Sequence, residues 1–121
     1  MANTFKVVTF AAEPNAAGTE YVVYTTAGST TTIILGFLLC NIHTSQVTAT
    51  VRLISDTTKT GATGDANNGT SVLVKNIPIP AGSSVEIMAG NKIVLETTDQ
   101  IDIDCSVADK LSGTMSIMEI T

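Results

Sequence analysis

The sequence predicts an all-β fold, a single antiparallel β-sandwich of about eight or nine strands at the usual strand length. Three observations predict it. Thr is about one residue in six of the 121, and with Val and Ile it makes the chain rich in β-branched side chains, which favour strands over helices. Apolar and polar residues alternate in short runs, and Gly, Pro, Asn and Asp punctuate those runs. No segment carries a helical period. The length is that of one domain, residues 1–121, long enough to bury a core without metals or staples. Alternation does not tell which strand pairs with which, so Ig-like and jelly-roll topologies are both open at this stage.

Residues 4–10 form the first strand. They alternate, and they lack the basic stretch and the continuous apolar run of a secretory leader, so the chain is read as cytosolic at synthesis. Residues 20–26 hold Tyr21 and Tyr24, which simple alternation sends to opposite faces, one to the core and one to the surface or an interface. Residues 31–42 are apolar on both faces: Ile33, Leu35, Phe37 and Leu39 point one way, and Ile34, Leu38, Cys40 and Ile42 the other. Gly36 marks a bulge in that strand. A run of about ten apolar residues is too short to cross a bilayer as a helix, so no membrane partner is expected.

Residues 46–54 place Val47, Ala49, Val51 and Leu53 against Thr48, Thr50 and Arg52, one face for the core and one for water. The stretch 56–69, DTTKTGATGDANNG, has almost no apolar anchor and reads as an outward-facing loop. Residues 70–79 return as a strand into a stiff turn shaped by Pro78, Pro80 and Gly82. Short strands follow at 84–88 and 92–96. Residues 100–107 give the cleanest alternation, with Ile101, Ile103, Cys105 and Val107 opposite Asp102, Asp104 and Ser106 on a solvated face. Residues 111–120 close the chain with Met115 and Ile117 opposite Met118 and Ile120, again apolar on both sides.

Charge and chemistry narrow the function. The net charge is −5 and Arg52 is the sole Arg, so the clustered cations that neutralise phosphates are missing and no nucleic-acid partner is expected. His43 is the only His, and no Ser sits in a G-x-S-x-G elbow, so no catalytic residues are assigned and the chain is read as not an enzyme. Gly61, Gly64 and Gly69 match no phosphate-binding loop, and no cofactor is expected. Cys40 and Cys105 have no metal or redox spacing and read as two reduced core thiols, with a bridge between them left open if their strands face each other. Asp99, Asp102 and Asp104 form the densest acidic group. They read chiefly as a solvated strand face, and no metal ligand is assigned, although a calcium- or carbohydrate-binding sandwich is the alternative they would support.

The two-faced strands carry the functional expectation. Apolar strand faces of this size are rarely left open, so they are covered either by the chain itself or by association. The expected docking surface is built from residues 33–42 and the last strand, with Ile34, Leu38, Ile42, Met115, Met118 and Ile120 as its contacts.

The order TTIILGFLLCN from Thr31, VTATV from Val47, IPIPAG from Ile77, KIVLETTDQI from Lys92 and MSIMEI from Met115 resembles the small β-sandwich virion proteins of tailed bacteriophages. The resemblance runs over roughly residues 30–121. It implies a non-enzymatic structural protein, made in the host cytoplasm and placed on the virion. Capsid decoration (cement) proteins, which dock on the shell and stabilise it, belong to that group. So do tail, fibre and baseplate components. The partners implied are the major capsid protein or other virion proteins, together with further copies of the chain as a homo-oligomer, a trimer by analogy.

Overall fold

A computed structural model describes residues 2–55, 69–88 and 90–121. Nine strands follow one another: β1 (Asn3–Glu13), β2 (Tyr21–Thr25), β3 (Thr31–Asn41), β4 (Val47–Ser55), β5 (Gly69–Ile79), β6 (Ser84–Glu86), β7 (Ile93–Leu95), β8 (Gln100–Cys105) and β9 (Leu111–Ile120). Each falls on a stretch where apolar alternation predicts one, with ends that move by a few residues. The expected outward loop, residues 56–69, lies outside the described residues except for Gly69, which begins β5.

Two antiparallel sheets form the sandwich. One has the order β1-β9-β3-β6, with β7 also pairing with β3; the other has the order β2-β8-β4-β5. Because consecutive strands cross repeatedly between the sheets, the order is that of a jelly roll, with β6 and β7 together taking the place of one strand. This decides between the two topologies that alternation left open.

The core lies between the sheets. Ile34, Phe37, Leu39, Met115 and Ile117 reach it from the five-stranded sheet, and Val47, Ala49, Val51, Ile101, Ile103 and Cys105 from the four-stranded sheet. Asn41 is the polar pin at one end. Its Nδ2 donates to the Ser45 and Ile79 carbonyls, and its Oδ1 accepts the His43 N–H, so a fully buried amide is satisfied while it fixes the β3–β4 turn. His43 is thus held as a turn residue by its backbone.

Bulges in β3 and β2 change the side-chain phase that strict alternation predicts there. In β3 the register steps from Ile34 opposite Ile117 to Gly36 opposite Ser116, so Leu35 is an extra residue. Ile34 therefore shares the inner face with Phe37 and Leu39, whereas Leu38 and Cys40 point outward. In β2 the register steps from Val22 opposite Asp102 to Tyr24 opposite Ile101, with Val23 as the extra residue. Tyr21 and Tyr24 consequently both pack against the core instead of facing opposite ways. Cys105 is a free buried thiol, but Cys40 is free and only half-buried on the outer side, so it is not the core thiol that the sequence predicts.

Candidate assembly interface

Directly opposed residues in an antiparallel pair share a face, so the register fixes what the outer side of the five-stranded sheet displays. Phe5 of β1 lies opposite Met118 of β9, Met118 opposite Ile33 of β3, and Ile33 opposite Val94 of β7. These four make one apolar row across four strands. Phe5 is 72% exposed and Val94 55%. The next positions add Ile120 on one side, and Val7, Ser116 and the Leu35–Gly36 bulge on the other. A further row runs through Thr9, Thr114, Leu38 and Glu86. No outward position on β1 from Asn3 to Thr9, on β3 or on β9 holds a charged side chain.

The six contacts expected from sequence divide accordingly. Met118 and Ile120 belong to the apolar patch, Leu38 is outward and exposed further along β3, and Ile42 is exposed just past the end of that strand. Ile34 and Met115 are corrections: both are fully buried in the chain's own core, Ile34 because the Leu35 bulge shifts its phase and Met115 because it lies opposite Val8 and Phe37 on the inner face. Ile33, within the expected 33–42 stretch, and Phe5, Val7 and Val94, outside the expected surface, complete it. A signal for two of them exists in β1: the apolar phase changes from Phe5 and Val7 to Val8 and Phe10, with no register break between them. Such a strand is apolar on both sides.

Beside this patch, Lys6 and Glu119 turn to the inner side at the end of the sandwich. Lys6 Nζ lies 2.7 Å from Glu119 Oε1, and Tyr24, reaching across from the other sheet, donates its hydroxyl to Glu119 Oε2 at 2.5 Å. Lys6 and Tyr24 hold the Glu119 carboxyl below its usual pKa, and burial, helped by the hydrogen bond to Glu119, pushes the Tyr24 phenol up. This buttress holds the Lys6 and Glu119 charges on the inner side.

The outer face of the four-stranded sheet has the opposite character. Val22, Asp102, Arg52 and Val72 make its corresponding row. The Arg52 guanidinium donates to Asp104 Oδ2 at 2.6 Å and lies 3.8 Å from Glu20 and 3.9 Å from Asp102, so one cation faces three carboxyl groups. Asp102 is buried, not solvated as the sequence predicts, and neither of its carboxyl oxygens accepts a hydrogen bond. Its burial and the neighbouring Glu20 carboxyl raise its pKa to about 6. Asp99 stands apart from this cluster, in the turn before β8, where its Oδ2 accepts the Glu96 N–H. The three aspartates that look adjacent in sequence therefore do not converge on one point. Among the described residues, no group of three or more His, Cys, Asp or Glu side chains is arranged to hold a metal ion.

No known family model matches the chain. No curated protein matches it in sequence. Among solved structures it is similar to a chain of the T13 IBDV viral particle, at 12% identity and a TM-score of 0.54 over 97% of this chain and 30% of that one. It is also similar to a chain of the infectious bursal disease virus Gx strain, at 14% identity and a TM-score of 0.51 over 96% of this chain and 32% of that one. A chain from Bacillus endospore appendages, described as disulfide-linked pili, aligns over 99% of this chain and 87% of that one, at 18% identity and a TM-score of 0.47. This chain spans about a third of the length of the viral chains. At these identities the likeness is one of fold.

Proposed function

We propose that the chain is a non-enzymatic structural protein of a virus particle, a capsid decoration protein of a tailed bacteriophage that docks on the shell and stabilises it through subunit contacts. One observation carries this reading: one outer face of the sandwich is apolar and free of charge across β1 to Thr9, β9 and β3, with Glu86 at its β6 edge, and the other outer face is charged at its centre. A monomer in water gains nothing from leaving Phe5, Val7 and Val94 exposed, whereas a subunit repeated in an assembly has a neighbour to cover them. The likeness of fold to the chains from viral particles supports the reading by analogy, and so does the resemblance of residues 30–121 to phage virion proteins.

The test is the copy number of this chain relative to the major shell protein, by quantitative mass spectrometry of intact particles. Near parity is expected for a decoration protein made in the host cytoplasm and added to the shell. A few to a few dozen copies would place it in the tail, fibres or baseplate. Its absence from purified particles would end the virion reading.

A further inference from the structure

We infer that the apolar outer face of the five-stranded sheet is the contact between two copies of this chain, packed sheet on sheet. The inference rests on the structural reading above and names what covers the face.

Charge comes first. The chain carries −5 overall, yet the outward positions of β1 from Asn3 to Thr9, of β3 and of β9 carry none of it. A strongly basic or acidic partner would find on β1, β9 and β3 nothing to pair with, and its own charges would be desolvated without compensation. A second copy presents the same face, whose Glu86 lies on the edge strand β6 with its Oε1 already accepting the Phe37 and Met88 N–H groups, so the central three strands of both copies lose water without stranding a charge. The opposite outer face is the poorer candidate, because covering it would desolvate Arg52 together with the Asp102, Asp104 and Glu20 carboxyl groups, three acids against one cation on each copy.

Size comes second. Strands of ten or eleven residues in a sheet four strands wide present a face of roughly 30 Å by 15–20 Å at ordinary rise and spacing. Covering it on both copies removes on the order of 1,000 Å² from water, where specific interfaces begin. Composition comes third: Ser112, Thr114, Ser116 and Thr9 are short, so a second sheet can approach to the ~10 Å of ordinary face-to-face packing, with Phe5, Met118, Ile33 and Val94 filling the gap. An isologous contact of this kind closes at two copies.

Analytical ultracentrifugation of the purified chain tests this, with the double variant Phe5→Asp/Val94→Asp and the control Val72→Asp, an exposed Val on the other outer face. The expected result is a dimer for the parent chain, at least about a tenfold weaker dimer for the double variant with unchanged circular dichroism, and parent behaviour for the control. If the double variant loses its fold, Val7→Asp on the exposed edge strand gives the same reading. A parent chain that stays monomeric, a trimer, or a control as weakened as the double variant would overturn the inference. A monomeric parent chain that joins particles, while the folded double variant does not, would leave the structural reading standing with a different occupant on the face. A chain that neither dimerises nor joins particles would remove both.

Discussion

Gly113 shows how closely one residue can be specified. A Cβ built there would sit 2.3 Å from Cε1 of Phe10, whose ring lies over the glycine and against Tyr21 at a centroid distance of 5.3 Å. Glycine inside a strand normally weakens it, so a buried one signals a close approach. Gly113→Ala is expected to destabilise the domain by about 1–3 kcal/mol through overpacking. Thermal unfolding will show it as a lower Tm, and Phe10→Leu in the same chain should recover much of the loss because it withdraws the ring. The glycine is visible in the sequence between Ser112 and Thr114, but the ring that requires it lies about a hundred residues earlier. Alternation names neither partner.

At the scale of elements, the nine strands are legible because each carries its own apolar pattern between turn residues. Leu111–Ile120 is found where the pattern places it, residue for residue. The phase within a strand is less legible. Leu35 and Val23 are extra residues in their ladders, and nothing in an apolar run distinguishes an inserted Leu or Val from a paired one. That is why Ile34 was expected on the docking surface and is found in the core. The β3 bulge is stitched by Glu86: β6 and β7 meet β3 on either side of the irregular stretch, and in the gap Glu86 Oε1 accepts the Phe37 and Met88 N–H groups at 3.0 Å each. Glu86→Ala is expected to cost about 1–2 kcal/mol by removing a charged acceptor from two backbone donors. Hydrogen exchange at the Phe37 amide should accelerate with it, and Glu86→Gln, which keeps a carbonyl oxygen, should fall between.

At the scale of the molecule, two carboxyl groups pull stability in opposite directions with pH. Asp102 has its pKa raised from 3.8 to about 6, so the folded state holds its proton more tightly than the unfolded chain. That contribution is fully present below 3.8 and is lost as pH rises through about 6. Glu119 is lowered from 4.5, so its contribution is present above that value and is lost as pH falls through its depressed pKa. Asp102→Asn is expected to raise Tm relative to the parent chain at pH 8, with the difference shrinking as pH falls through 6 toward 4 in a series of thermal melts. The surfaces divide in the same way between what composition foretells and what it does not. A low-charge chain with two-faced strands foretells a covered face, whereas the charged cluster around Arg52 joins Glu20 to residues some thirty to eighty positions away, and only the topology brings them together.

The bulge at Leu35 has a further meaning if the faces of β3 are treated as a message read two letters at a time. Upstream of the bulge the even letters are interior, and downstream the odd ones are: Thr32 and Ile34, then Phe37, Leu39 and Asn41. The strand is thus written with a frameshift, and its length is information in its own right. A single residue gained or lost beyond Gly36 would exchange inside for outside through to Asn41, while a matched gain and loss would restore the message. The neutral outer face and the core are two readings of one string, kept apart by one residue that has no partner opposite it.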